Sequence, residues 1–171
     1  EQDKPWNTKG VEGVHRFLNR AWRVFIEDDQ DATEAKLDPK VQDVEPDEAA
    51  LKLLHKTIKK VTEDIEHLHF NTAISAMMVF VNEMTKADVR PVAVMKPFVL
   101  LLAPFAPHLA EELWQLMGGE TTLGYEPWPE TPGRDRYLSY GACRRAVAWL
   151  LRGNPSAPWM ICIHGLGMGR G

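Results

Sequence analysis

The segment from Asp47 to His69 constrains this chain more than any other. Leu51, Leu54, Ile58, Val61, Ile65 and Leu68 step by three or four residues throughout it. At about 100° per residue such a series shares one side of a helix, while the lysines between its members face away. An amphipathic helix cannot cover its own apolar stripe, so the chain must supply partners. Val14, Phe17, Leu18, Ala21 and Phe25 repeat the spacing and predict a helix from about Gly10 to Glu27. A third is expected from Thr72 to about Lys86 with Asn71 as its N-cap, and it is apolar nearly all round, as a central helix would be. Pro91 suits the first turn of a fourth, which continues through Phe98–Ala103. Pro97 should kink or divide it by removing a backbone donor.

Leu102–Trp114, reading LAPFAPHLAEELW, is a helix stop followed by a helix start. Pro104 and Pro107 punctuate it, Glu111 and Glu112 are expected where a helix N-terminus favours carboxylates, and Gly118-Gly119 closes the fifth helix near Met117. Tyr125–Pro129 reads as an extended strap with Trp128 packed on the body. Asp28–Pro46 has no strong period and reads as a long acidic surface loop. No alternating strand pattern of useful length precedes residue 130. The expected fold is all-α, a bundle of about five helices with an irregular C-terminal tail.

At 171 residues and 44% hydrophobic content the chain can bury one sizeable core. Its net charge of −4 conceals two compositions. Residues 1–130 hold 14 Lys and Arg against 23 Asp and Glu, whereas residues 131–171 hold six Arg, no Lys and a single Asp. The predicted division is therefore a helical domain over 1–130 and a differently composed tail over 131–171. Cys143 and Cys162 lie in that tail and are expected to be reduced thiols. No apolar run approaches the ~18 residues that cross a bilayer, and EQDKPWNTKG has no apolar signal core. It reads as the continuation of a larger protein, and the expected compartment is the cytoplasm.

Two cationic stripes stand out on this acidic body. Arg16, Arg20 and Arg23 lie within about 60° of arc on the first helix, with Asn19 beside them and the apolar residues opposite. Lys52, Lys56 and Lys59 do the same on the second, with Lys60 at the border, and that stripe turns acidic at Glu63. Each stripe is either a solvated face or a surface for a polyanion. Guanidinium forks suit phosphates, and charge gathered on one face can steer a polyanion even when the net charge is negative. Trp22 sits between the two faces of its helix, placed for burial or for stacking.

GVEGVHRFLNRAWR (Gly10–Arg23), LAPFAPHLAEELW and FNTAISAMMVFVNEM (Phe70–Met84) together resemble the C-terminal helical tRNA-binding domain of class I aminoacyl-tRNA synthetases. The bacterial-type leucyl enzymes match best, over about residues 4–130, and PFAPHLAEELW alone would not separate them from isoleucyl or valyl enzymes. The resemblance implies tRNA and the parent's catalytic domain as partners, with no membrane. It also implies Arg16, Asn19, Arg20 and Arg23 as tRNA contacts, directed at backbone and arms since such leucyl enzymes generally do not read the anticodon. The stripe of Lys52, Lys56 and Lys59 joins them as a candidate on its spacing. The parent reaction would be ATP-dependent leucylation of tRNA. The His-x-Gly-His and Lys-Met-Ser-Lys-Ser signatures that bind ATP in these enzymes are missing from this chain, so neither catalytic residues nor a cofactor is expected here; ATP and Mg belong to the catalytic domain. The alternative is a helical interaction module without an RNA role.

Other groups are less persuasive. His108, with Glu111 near it, is expected to cap or pack rather than catalyse. Glu66-x-x-His69 has the spacing of a bundle di-iron ligand pair but lacks a second copy, so no metal is expected. Met77, Met78 and Met84 read as core filler. Beyond Glu130 the composition shift predicts an out-of-frame or otherwise non-native end, with a diverged tail as the alternative. Ala142–Arg152 could form a short helix ahead of disordered or poorly packed chain.

Overall fold

The computed structural model describes residues 8–27 and 34–131. Five α-helices follow in order: α1 Thr8–Phe25, α2 Glu48–Glu66, α3 Phe70–Lys86, α4 Val92–Leu102 and α5 Pro107–Leu116. A two-residue parallel pairing of β1 (Val41–Gln42) with β2 (Arg90–Pro91) and a short 3-10 turn at Leu123–Tyr125 complete them. The expected all-α bundle is what forms. The tail from 132 onward lies outside the described residues, and with it the predicted helix at Ala142–Arg152 and both cysteines.

The helices form where apolar period and end signals agree. In α2, Leu54, Ile58, Val61 and Ile65 are buried, and the Asp47 carboxylate caps the first turn by accepting the Ala50 N–H at 2.7 Å. Leu68 departs from the expectation: the helix stops at Glu66, Leu68 turns through φ 59°, and its side chain is 47% exposed. The left-handed region is costly for a residue with a Cβ, and here it buys the reversal into α3. α3 starts at Phe70 with His69 at the N-cap and no side-chain cap bond, so Asn71 is helical rather than the cap. Ala73, Met77, Phe80, Val81 and Met84 are buried, while Val79 is 54% exposed, so α3 is central on one side only.

Pro97 does not divide α4. The helix runs unbroken through it because Val94, Met95, Phe98, Val99, Leu101 and Leu102 are all buried, and that packing outweighs one missing backbone bond. Phe98 stacks on Phe80 at 4.3 Å between centroids and lies 6.3 Å from Phe25, which joins α4 to α3 and α1 through one aromatic column.

In α5 the helix starts at Pro107, so Glu111 lies beyond the first turn and serves another purpose. Its carboxylate accepts the Leu123 N–H at 2.8 Å and the Thr122 hydroxyl, pinning the 3-10 turn. The C-terminus closes with Gly118 at φ 77° and the Gly119 N–H on the Trp114 carbonyl at 2.9 Å. A Cβ on Gly119 would meet the Trp114 ring at 2.2 Å, so only glycine permits this approach. Trp128 packs on the bundle as expected, its Nε1 donating to the Thr62 hydroxyl at 2.9 Å.

The loop reading of Asp28–Pro46 needs correction in its described part. Ile26 bridges Leu37, the Glu27 N–H donates to the Lys36 carbonyl, and the Asp38 N–H donates to the Phe25 carbonyl at 2.7 Å. Val41 and Gln42 then pair with Arg90 and Pro91. Two-residue strands leave no period to read, so the segment looked unanchored in sequence.

Candidate nucleic-acid interface

α1 turns Phe17, Ala21, Val24 and Phe25 into the core and leaves Arg16, Asn19, Arg20 and Arg23 exposed on the other side. Their spread over seven residues covers about 10 Å of helix axis. Asn19 Nδ2 sits 3.3 Å from His15 Nδ1 one turn away. The Arg20 guanidinium reaches across to α3, where Nη2 donates to Asn82 Oδ1. Trp22 is half-buried and packed against the core, which assigns it to packing. Val11 and Val14 are exposed near the start of the helix.

On α2, Lys52, Lys56 and Lys59 are exposed on the side away from the core. Lys60 is drawn to Asp64 at 2.8 Å. Burial alone would raise the Asp64 pKa, but the hydrogen bond from Lys60, the nearby Thr72 hydroxyl and the charges of Lys60 and His69 hold it below the usual aspartate value. The Asp64 carboxylate is buried near the end of α2, with Lys60 on its Oδ1.

Two residues of this region carried no sequence signal. Asn82 is one amide on an apolar-rich helix. Arg90 is a lone cation between helices, yet it is 4% exposed. Its Nη1 donates to the Val24 carbonyl at 2.7 Å and to Asp38 Oδ2 at 2.8 Å, and its Nε to the Met84 carbonyl at 3.0 Å. One guanidinium thus satisfies a carbonyl near the end of each of α1 and α3, where backbone acceptors and the helix dipole favour a cation. That junction ties the end of α1 to the end of α3 and to the segment around Asp38.

The remaining candidates are spread out. His108 is exposed at the second position of α5, neither packed nor capping as expected. His69 stacks on His67 at 5.9 Å, and among the described residues no group of three His, Cys, Asp or Glu side chains could hold a metal ion. No described helix is long and apolar enough to cross a membrane.

The described residues form a helical bundle with cations exposed on the outer sides of α1 and α2. Comparison with known proteins says which kind of bundle this is. The family described as the anticodon-binding domain of tRNA ligase matches residues 47–150, and the chain belongs to it. Among its relatives, the leucine–tRNA ligase of Leptospira biflexa is 51% identical over 130 residues, and that of Bdellovibrio bacteriovorus 52% over 132. Each alignment covers 76% of this chain and only 14% and 16% of the respective enzyme, so the chain corresponds to a small part of a long protein. A solved ternary complex of Agrobacterium radiobacter K84 agnB2 LeuRS with tRNA and LeuAMS is similar over 75% of this chain and 17% of that one, with 32% identity and a TM-score of 0.57. The family match runs past Glu130, where the leucyl resemblance read from the residues ends.

Proposed function

We propose that this chain is the tRNA-binding helical domain of a leucine–tRNA ligase, and that it meets the phosphate backbone of tRNA through the exposed arginines of α1. The observation that carries this reading is the conjunction of about 50% identity to bacterial leucine–tRNA ligases with a stripe of solvent-facing guanidiniums on the helix opposite its core face. Arg16, Arg20 and Arg23 supply planar forks that fit phosphate oxygens, and Asn19 adds an amide donor. Such contacts position an RNA without reading its sequence. Lys52, Lys56 and Lys59 contribute as a second, longer-range cationic face. Leucylation itself, with ATP and Mg, belongs to the catalytic domain of the parent enzyme, which is this domain's second partner. The setting is the cytoplasm.

Equilibrium binding of bulk tRNA to the full chain across a salt series tests this. Were all six stripe cations in contact with phosphates, log K against log salt would fall with a slope of up to about −5, at roughly −0.9 per contact. Reversing Arg16, Arg20 and Arg23 to Glu should abolish binding. Indifference to both salt and reversal would instead favour a helical protein-interaction module.

A further inference from the structure

We propose that the RNA-facing surface is the seam between α1 and the outer ridge of α3, with Asn82 as the positioning residue that aims Arg20, rather than the lysine stripe of α2. This rests on the tRNA-binding reading above and adds where the tRNA lies.

The contact between Arg20 Nη2 and Asn82 Oδ1 is the first support. An exposed arginine ordinarily samples many rotamers, and fixing one costs entropy at the moment of binding. A neutral amide oxygen that holds one terminal nitrogen removes part of that cost without cancelling the charge. An aspartate in the same place would neutralise the group it orients. The remaining N–H donors of Arg20 stay available for a phosphate.

The second support is what surrounds Asn82. At 100° per residue Asn71, Ser75, Val79, Asn82 and Lys86 fall on one ridge of α3. Asn71, Ser75, Val79 and Lys86 are exposed, and Asn82 is half-buried where Arg20 meets it. The side chains are small or neutral apart from Lys86, which pairs with Glu83 at 2.8 Å. Glu83 is the single acid of α3 and Glu12 the single acid of α1. Residues 1–130 otherwise abound in carboxylates, so an acid-poor strip across two packed helices is distinctive on this body.

The third support is the contrast with α2. That helix matches its four lysines with Glu48, Glu63, Asp64 and Glu66, and Glu63 continues the line of Lys52, Lys56 and Lys59 directly. A polyanion approaching the lysine stripe meets Glu48, Glu63 and Glu66 among its lysines, Asp64 being buried against Lys60. Approaching the seam it meets three arginines against the single Glu12, one turn ahead of Arg16, with an amide and a low ridge that lets a sugar-phosphate strand come close.

Binding of bulk tRNA to variants of the full chain separates these surfaces. Asn82→Ala should weaken binding three- to tenfold with the salt slope unchanged, because no cation is lost. Arg20→Ala should weaken it at least as much and flatten the slope by about 0.9. The double variant should bind no worse than Arg20→Ala alone, a non-additivity that general loosening of the fold would not produce. Ser75→Glu, an exposed change far along the ridge, should also weaken binding by severalfold, while replacing Lys52, Lys56 and Lys59 by Gln should cost less than threefold. Additive effects of the Arg20 and Asn82 changes, or a lysine triple costing more than Ser75→Glu, would overturn the seam. If the Arg16/Arg20/Arg23 reversal abolishes binding while Asn82→Ala and Ser75→Glu do nothing, the tRNA-binding reading stands and the seam falls. If the wild-type chain shows no salt-dependent binding, both fall.

Discussion

Arg20 and Arg90 are the same residue type in opposite circumstances. Arg20 stands on the polar side of α1 in water, with one hydrogen bond to Asn82 and donors to spare. Arg90 lies at the junction of α1, α3 and the segment around Asp38, with its side chain 5% exposed and its donors on Val24, Met84 and Asp38. The first is available to a partner because the fold does not need it. The second is unavailable because the fold does. Charge by itself therefore says little about function in this protein. What decides is whether the guanidinium's donors are already taken.

The largest expected effect lies on the buried side. Arg90→Met keeps much of the bulk but takes the guanidinium away from the Asp38 carboxylate and from the Val24 and Met84 carbonyls. Breaking a buried ion pair from one side typically costs about 3 kcal/mol or more, and urea unfolding should show a loss of that order. The loss should also appear as weaker tRNA binding, since the tie between the ends of α1 and α3 is cut. A variant as stable as wild type would erase the distinction between the two arginines.

Asp64 tests the same logic with a carboxylate. Its pKa is held below the ordinary value, so its contribution to stability is complete above the unfolded-state pKa of about 3.9 and is lost as pH falls through the lower folded value. Asp64→Asn should therefore be less stable than wild type at neutral pH, with the gap narrowing below about pH 4. A gap constant down to pH 2 would show that the Asp64 charge does not hold the α2–α3 turn. The smallest stability effect belongs to the exposed side. Changing Arg16, Arg20 and Arg23 to Gln should move the unfolding free energy by no more than about 0.5 kcal/mol per site, since exposed charges on a helix contribute little.

The same contrast explains what the residues disclosed. Helices α1 to α5 were readable because each carries a run of apolar residues, with Pro91, Pro107 and Gly118-Gly119 marking ends of α4 and α5, and these local signals agree with the packing. The arginine stripe was readable for the same reason, as a period on a helix already located. Arg90, Asn82 and the β1–β2 pairing were not. Arg90 draws its meaning from carbonyls 66 and six residues away, and Asn82 from an arginine 62 residues earlier. Long-range pairs leave no trace in a window of one chain. The errors of detail have equally local causes. Asn71 was expected as a cap because its residue type favours that role, yet the turn through Leu68 starts α3 two residues earlier, at Phe70. Glu111 was expected to serve the helix dipole and instead holds the 3-10 turn that follows α5.

The direct test of the account is to map the tRNA contact on the molecule. Backbone amide resonances of the full chain, followed by NMR as tRNA is added, should shift or broaden along Arg16–Arg23 and along Ser75–Lys86, leaving α5 and the lysine side of α2 largely unmoved. Perturbations gathered on α5, or on Lys52–Lys59 with α1 silent, would contradict it.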